Sequence, residues 1–223
     1  MGYIADRIRY YKSTIPTDVE LVAVSKFHPN ESIFEAYEVG QRVFGESRAN
    51  ELVDKATSLP DDIKWHFIGH LQTNKVRQIL PYVSLIHSVD SERLLRMVDA
   101  ESKRINRVTD VLLQLHVAQE ETKFGFTPDE LIQLSETGIF NELQNINIIG
   151  VMGMASNTDD TARIIEDFDS IKNAFDRLAT GIMVGNENFK VISMGMSGDY
   201  LDAIECGSTM VRIGSDIFGE RNY

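Results

Sequence analysis

Short runs of apolar and β-branched residues alternate along the chain with longer segments in which apolar residues recur every three or four positions. Several runs are apolar at both pleat positions, which is typical of parallel strands covered on both faces. Eight such strands with helices between them predict an α/β fold, a single (β/α)8 TIM barrel over residues 1–223, with an extra helix before the first strand. The eight runs are 21–25, 43–45, 65–69, 85–89, 111–117, 146–152, 190–194 and 210–213.

Two kinds of signal mark the helices between these runs. Thr127, Pro128 and Glu130 supply a cap residue, a proline at the first helical position and a glutamate three residues after the cap, which predicts a helix start. Apolar residues at three- and four-residue steps predict one buried stripe in the next long helix. The stripe consists of Ile164, Ile165, Phe168, Ile171, Phe175 and Leu178.

A doubly wound open sheet is the alternative arrangement for alternating strands and helices. It would carry a phosphate-binding glycine fingerprint directly after the first strand. No Gly-x-Gly-x-x-Gly motif follows Ser25, so the barrel is favoured. The chain also has no linker rich in proline, glycine or serine, and we therefore expect one domain.

The composition of the chain limits which binding partners and which cellular compartment are expected. The formal net charge is −12, and a surface of that sign repels nucleic-acid phosphates and anionic lipid headgroups. We therefore expect no nucleic-acid partner and no membrane association, and an anionic ligand needs a local positive site.

Three further features bear on the compartment. Cys206 is the one cysteine, the chain starts without a signal peptide, and no apolar run has membrane-spanning length. A soluble cytoplasmic protein is expected.

Lys26 is the first candidate for chemistry, because it ends the apolar run of the first strand. Strand alternation places Val22, Val24 and Lys26 on one face, so Lys26 would emerge inward at the C-terminal mouth, where barrel active sites lie. A lysine amine among apolar walls has a lowered pKa and is a competent nucleophile toward an aldehyde. A solvated strand-end lysine is the more frequent alternative, so Lys26 alone is ambiguous.

Two loops near the C-terminus are candidates for phosphate binding. The stretch 193–199 is a glycine-rich turn between a strand and a helix, and such a turn offers backbone N–H groups and a hydroxyl to an anion. In the stretch 207–215, Arg212 lies among apolar neighbours, where a guanidinium is costly without a partner. The loops after strands seven and eight are the usual phosphate site of a TIM barrel, so both stretches predict a phosphate-bearing ligand.

The histidines do not predict a metal site. His66 and His70 are four residues apart, but that stretch is predicted as a strand, so the two rings would not share a helix face. His28, His87 and His116 are scattered along the chain. A structural or hydrogen-bonding role is expected for most of them.

Four motifs occur in order and with fitting spacing between the first strand and the C-terminus. They are Leu21-Val22-Ala23-Val24-Ser25-Lys26, Trp65-His66-Phe67-Ile68-Gly69 with Leu71-Gln72-Thr73-Asn74-Lys75, Gly195-Met196-Ser197 with Asp199, and Gly207-Ser208-Thr209-Met210-Val211-Arg212-Ile213-Gly214 followed by Ile217-Phe218-Gly219. Together they resemble the pyridoxal phosphate homeostasis protein family. The resemblance implies the barrel domain shared with alanine racemases and eukaryotic-type ornithine decarboxylases, with pyridoxal 5′-phosphate (PLP) as the cofactor.

The resemblance also implies how the cofactor is held at its two ends. Lys26 would be the Schiff-base lysine. Ser197 and the backbone amides of Met196, Gly214 and Ser215 would hold the cofactor phosphate.

Further implied site residues lie around the cofactor ring. Arg212 would face the pyridine nitrogen and leave it unprotonated, which weakens the ring as an electron sink. His66 and Met152 would line the ring side.

Two positions depart from the usual family pattern. Ser47, which the resemblance also places at the cofactor site, has a shorter side chain than the asparagine that the family usually has in Gly-Glu-Asn. The loop 122–125 reads Thr-Lys-Phe-Gly where the family usually has Ser-Lys-Ser-Gly, so a bulkier, more apolar mouth is expected, with its lysine either solvated or at the mouth.

Three functions are compatible with these residues. The resemblance implies a protein that binds PLP reversibly, buffers it and hands it to apo-enzymes. The main alternative is a PLP-dependent amino-acid racemase with weak activity. A racemase needs a base on each face of the ring, no convincing second base accompanies Lys26, and the chain ends at Tyr223 without room for a second domain. A phosphosugar enzyme would leave Lys26 unexplained. We expect a monomeric protein that is not an enzyme.

Overall fold

Eight parallel strands close into a barrel, in which each strand pairs with the next along the chain and the last pairs with the first. The computed structural model describes residues 2–118 and 124–220. The predicted (β/α)8 barrel is confirmed. The strands are β1 Glu20–Val24, β2 Val43–Glu46, β3 Lys64–Phe67, β4 Val83–Val89, β5 Thr109–Gln114, β6 Ile146–Met152, β7 Val191–Ser193 and β8 Met210–Ile213.

Helices surround the barrel, and the first of them precedes β1 as predicted. The helix α8 is the longest, whereas α9 and α10 are short segments that follow the last two strands. Among the described residues, no helix combines the length and the apolar character needed to cross a membrane. The helices are α1 Tyr3–Thr14, α2 Asn30–Glu38, α3 Ala49–Ala56, the 3-10 turn Thr73–Lys75, α4 Val76–Ile79, α5 Glu92–Arg104, α6 Pro128–Glu136, α7 Ile139–Glu142, α8 Thr161–Thr180, α9 Tyr200–Glu205 and α10 Ser215–Phe218.

The sequence signals of two helices are tested directly. At the start of α6, the Thr127 side chain accepts a hydrogen bond from the Glu130 N–H while the Glu130 carboxylate accepts one from the Thr127 N–H, so the capping box is confirmed. In α8, Phe168 and Ile171 are buried, but Ile165 is 38% exposed. Ile165 lies about 60° around the helix from Phe168, on the side away from Ile171, so its place in the stripe was a wrong prediction.

A strand can end earlier than the apolar run that predicted it, because buried residues continue beyond the last residue of the strand. β5 ends at Gln114, although Leu115 and Ala118 beyond it are also buried. Leu115 still donates its N–H to the Met152 carbonyl of β6 at 2.8 Å, and it also bridges to Phe126 in the following loop. Apolar character therefore marks the extent of the core at this end of the barrel, and not the extent of the strand.

The barrel interior has an apolar layer and, two residues further along several strands, a polar one. Six side chains form the apolar inner cluster, separate from the larger core between the sheet and the helices. Because side chains alternate along a strand, the residues two positions after Leu85 and Met210 also face inward. These are His87 and Arg212, both buried. The inner cluster consists of Val22, Val43, Leu85, Leu112, Met152 and Met210.

Candidate functional site

Four buried polar side chains from four strands form a continuous hydrogen-bonded chain inside the barrel. They are Arg212 on β8, Ser193 on β7, His87 on β4 and His66 on β3. The Arg212 guanidinium donates to Ser193 Oγ at 2.7 Å, and Ser193 Oγ lies 3.0 Å from His87 Nδ1. His87 Nε2 lies 3.0 Å from His66 Nδ1. The barrel therefore brings together residues that are far apart in the sequence, from His66 on β3 to Arg212 on β8.

One direction of the chain gives every proton between Arg212 and His66 an acceptor. Arginine has only donors, so Ser193 Oγ accepts from Arg212. Among the described contacts of Ser193 Oγ, only His87 Nδ1 is left to take the hydroxyl proton, and we assign that bond with Ser193 as the donor. His87 then carries its proton on Nε2 and donates it to His66 Nδ1. His66 in turn carries its proton on Nε2. The arrangement makes His66 a neutral hydrogen-bond donor at the end of the chain.

Burial keeps both histidines neutral. It lowers the pKa of His66 to about 3, with a smaller contribution from the positive charge of Lys64. It also holds the pKa of His87 well below the ordinary value, with His66 and Arg212 acting in the same direction. Neutral rings are what the directional chain requires, because a doubly protonated imidazole has no acceptor nitrogen.

Arg212 places a positive charge in the barrel interior of an acidic protein. Burial lowers its pKa to about 10, so the guanidinium stays charged near neutral pH, and the Asp199 carboxylate favours the charged form. A second guanidinium nitrogen donates to the Gly153 carbonyl at 2.9 Å. Within residues 2–118 and 124–220, no carboxylate forms an ion pair with Arg212. The site therefore supplies the local positive charge that an anionic ligand needs in this chain.

Lys26 follows β1 at the C-terminal end of the barrel and is half-buried. Val22 belongs to the inner cluster, and a Cβ built on Gly45 would lie 3.1 Å from Val22 and 3.5 Å from Val24. Both valines therefore face the same interior space, as the alternation in the sequence predicts. A Cβ built on Gly214 would lie 3.3 Å from Val24, so the loop after β8 packs directly against the strand that leads to Lys26.

The two phosphate-type loops meet, as the sequence predicts. The Ser197 and Ser215 hydroxyls are 3.5 Å apart, and the Arg212 N–H donates to the Gly195 carbonyl at 3.0 Å. Gly195 has a φ of +95°, and a Cβ there would lie 2.6 Å from the Ala203 side chain. Only glycine therefore lets this turn approach α9 so closely.

One predicted phosphate donor is engaged within the protein. The Met196 N–H donates to the Asp199 carboxylate at 2.5 Å. Burial raises the pKa of Asp199, and this hydrogen bond opposes the shift. A phosphate that takes the Met196 amide must therefore displace a carboxylate oxygen, whereas the two serine hydroxyls are already side by side.

The residues fit a cofactor that combines an aldehyde, a phosphate and a ring nitrogen. Lys26 supplies an amine, and the loop after β8 lies against the end of its strand. Ser197 and Ser215 supply paired hydroxyls at the rim. Arg212 supplies a charged donor group in the interior, and Met152 on β6 belongs to the apolar layer beside it.

Ser47 lines a separate cleft and not the space between Lys26, Arg212 and the two serine loops. It lines a cleft of about 1120 Å³ beside the barrel mouth, together with Phe27 and Gln72. A Cβ built on Gly69 would lie 2.3 Å from the Ser47 carbonyl oxygen, so the loops after β2 and β3 are packed backbone to backbone. The predicted role of Ser47 in cofactor binding stays a prediction.

His70 and Phe124 form a separate contact at the rim. The His70 ring stacks on Phe124 at a centroid distance of 3.7 Å, and its Nδ1 lies 2.9 Å from the Asp90 carboxylate. His66 and His70 therefore have different partners. Phe124 is 52% exposed. Residues 119–123, including Lys123, lie outside the described residues.

The contact between Ser193 and His87 was not predicted: Ser193 was only the first residue of the phosphate-type stretch 193–199, and His87 was one of the scattered histidines. Each lies two positions after an apolar residue that packs in the barrel interior, Val191 on β7 and Leu85 on β4. The two-residue period of a strand could have placed them inside the barrel. Their mutual hydrogen bond could not have been predicted, because it depends on the register between β4 and β7, which are not neighbours.

The fold and its site define a barrel of the alanine racemase N-terminal domain class. The family model described as "Alanine racemase, N-terminal domain" matches residues 1–222. Alanine racemase of Clostridium difficile superposes with a TM-score of 0.79 over 99% of this chain and 57% of that chain, at 14% identity. That likeness concerns the fold.

Nearer relatives identify the family. Pyridoxal phosphate homeostasis protein of Vibrio alginolyticus is 37% identical over 232 residues, which cover 99% of this chain and 96% of that protein. PipY of Synechococcus elongatus, whose structure was solved with PLP bound, superposes with a TM-score of 0.86 at 34% identity over 97% of this chain and all of that one. The chain belongs to the pyridoxal phosphate homeostasis protein family.

Proposed function

We propose that this protein binds PLP at the mouth of the barrel, as a Schiff base on Lys26, and serves intracellular PLP homeostasis. One observation carries the proposal: the buried Arg212 charge lies in the interior beneath two loops whose serine hydroxyls are 3.5 Å apart. This arrangement suits a small ligand with a phosphate at one end and a hydrogen-bond acceptor in its ring. PLP bound to PipY supports the same ligand.

The proposed linkage is a reversible condensation. A Schiff base would form between the Lys26 amine and the cofactor aldehyde, with release of one water molecule. Ser197, Ser215 and the amides of their loops would hold the phosphate, and the Arg212 guanidinium would donate to the pyridine nitrogen. When bound, the cofactor supplies an aldehyde that reacts with amines.

We further propose that the protein carries PLP without turning over a substrate. Arginine can only donate, so opposite the pyridine nitrogen Arg212 favours the unprotonated ring, which is the weaker electron sink. His66 is a neutral donor with its pKa lowered to about 3, which makes it a poor base near neutral pH. Reversible binding would let the protein buffer PLP and deliver it to apo-enzymes. We propose that it does so in the cytoplasm and as a monomer.

The linkage is tested by trapping it. Purified protein is incubated with PLP, reduced with borohydride, digested and analysed by mass spectrometry. We expect the pyridoxyl group on Lys26, and we expect Lys26→Ala to lose both the label and the visible absorption. Lys75→Ala is the matched control, because Lys75 lines the neighbouring cleft at the same end of the barrel. A wild-type protein that takes up no PLP, or carries it on another lysine, would overturn the proposal.

The absence of turnover needs a separate experiment. Loaded protein is incubated with single amino-acid enantiomers in D₂O, and exchange of the α-proton is followed by NMR. We expect no exchange above that of free PLP at the same concentration. Exchange with many turnovers per protein would instead establish the racemase alternative.

A further inference from the structure

Lys26 occupies the second position of a tight turn whose third residue has an unusual backbone conformation. The His28 N–H donates to the Ser25 carbonyl at 3.1 Å, which closes a four-residue turn over Lys26 and Phe27. Phe27 has a φ of +68°. A positive φ at this position is ordinary for glycine but costly for a bulky side chain with a Cβ. The turn at Lys26 therefore needs support from the residues around it.

That support comes from two side chains of α3. Glu51 Oε1 accepts the Phe27 N–H at 2.6 Å, and the Lys55 ammonium donates to the Ser25 carbonyl at 2.9 Å. Lys55 also donates to Glu51 Oε1 at 2.7 Å, which ties the two side chains together. The peptide groups on both sides of Lys26 are therefore fixed by one salt-bridged pair.

A third side chain, the carboxyl group of Glu46, contacts this pair from inside the barrel wall. Glu46 Oε1 accepts from Lys55 at 2.8 Å and from the Ser25 hydroxyl at 2.6 Å. The Glu46 and Lys55 side chains are 0% and 6% exposed. Buried charge networks are costly unless their members satisfy one another. This one converges on Ser25 and Phe27, the two chain neighbours of Lys26.

We propose that Glu51 is a positioning residue for Lys26: with Lys55 it holds the turn in the conformation from which the Lys26 amine reaches the cofactor aldehyde. The proposal rests on the proposed function, since it requires Lys26 to react with PLP. In this proposal Glu51 acts through the Phe27 N–H and Lys55, and not on the cofactor itself. Its effect is therefore expected on the rate of the Lys26 reaction, more than on phosphate binding.

The rate is measured on apo-protein mixed rapidly with PLP. Borohydride stops the reaction at set times, and mass spectrometry gives the fraction of Lys26 that is labelled. We expect Glu51→Ala to slow labelling about tenfold, since the Phe27 N–H loses its acceptor. Glu51→Gln keeps an acceptor oxygen and should stay within about twofold of the wild type. Asp54→Ala removes an exposed carboxylate from the same helix and is the charge control.

A double-mutant cycle tests whether the effect passes through the strained turn. Glycine adopts a positive φ at little cost, so in a Phe27→Gly background the turn should depend less on Glu51. We expect the Glu51→Ala slowing to shrink to about threefold or less in that background. An unchanged slowing in the Phe27→Gly background would overturn positioning through the turn.

The outcomes separate the two proposals. If wild-type Lys26 is never labelled, the proposed function itself fails. If wild-type Lys26 is labelled and Glu51→Ala is labelled equally fast, Glu51 has no positioning role and the proposed function stands. Thermal melting of each apo-variant shows that folded protein is compared. If Glu51→Ala does not fold, Glu51→Asp replaces it. The aspartate side chain is one methylene shorter, so its carboxylate lies farther from the Phe27 N–H and labelling of Lys26 should again be slower than in the wild type.

Discussion

The Nε2 atom of His87 lies 3.0 Å from Nδ1 of His66 in the interior of the barrel. Two neutral imidazoles can share such a contact only if one donates and the other accepts. Arg212 can only donate to the Ser193 hydroxyl, and His87 Nδ1 is the one acceptor left for the hydroxyl proton among the described contacts of Ser193, so we assign His87 as the donor to His66. A charge on β8 thereby fixes the tautomer of a histidine on β3.

Removal of the Ser193 hydroxyl should break this chain in the middle. Ser193→Ala leaves buried donors and acceptors of Arg212 and His87 without a partner, so we expect a loss of about 1–3 kcal/mol in the free energy of unfolding. Urea denaturation measures it. Ser88→Ala is the matched control: Ser88 is equally buried, and its hydroxyl has no hydrogen-bond partner among the described residues. Equal losses in the two variants would contradict the chain.

The tautomers can be observed directly. Nitrogen-15 NMR of the histidine rings should show His66 and His87 neutral, each with its proton on Nε2, from pH 8 down to about pH 4. Burial lowers the pKa of His66 to about 3 and that of His87 well below its ordinary value. A proton on Nδ1 of either ring would contradict the assigned direction, and protonation of either ring above about pH 4 would contradict the lowered pKa values.

The same pKa shifts predict an effect on stability. An unfolded chain protonates its histidines near pH 6.5, whereas folded His66 does so only near 3. The unfolded state therefore binds more protons between these values, and stability falls as pH drops through this window. Replacement of His66 by Asn should flatten that part of the profile, measured by urea denaturation at a series of pH values.

The barrel and several of its site loops were predictable because both depend on local patterns. Strand alternation placed Val22 inside, and the glycine-rich turn at Gly195 marked the loop after β7. The support of the Lys26 turn was not predictable in this way. Glu51 and Lys55 read as ordinary charges of an amphipathic helix, and only the packing of α3 against the end of β1 brings them to Ser25 and Phe27.

The phosphate-type loop after β7 should depend on one of its two glycines. In Gly195→Ala the new methyl group would meet Ala203 at 2.6 Å, at a φ of +95°. We expect a loss of about 1–3 kcal/mol in unfolding free energy and weaker PLP uptake, measured by urea denaturation and by absorption titration. Gly198→Ala is the control in the same loop, because within the described part of the chain no atom beyond its own chain neighbours lies within 4 Å of its Cβ position. Indistinguishable variants would contradict the steric argument.

Glu46 should give stability a pH dependence opposite in sign to that of the histidines. Burial raises its pKa to about 7, and Lys55 and Ser25 offset this only in part. An unfolded chain releases the proton near 4.5, so the folded state binds more protons between these values and loses stability as pH rises through them. We therefore expect the difference in unfolding free energy, wild type minus Glu46→Gln, to decrease as the pH rises from about 4.5 to 7.

Urea denaturation at a series of pH values measures this difference, and Glu101 supplies a control of opposite sign. Arg77 and Arg104 lower the pKa of Glu101 to about 2 through hydrogen bonds. The corresponding difference for Glu101→Gln should therefore rise with pH between about 2 and 4.5 and be flat above it. A Glu46 difference that stays flat from pH 4.5 to 7 would mean that the carboxylate beneath the Lys26 turn is already ionised at pH 4.5. In that case Lys55 would outweigh burial.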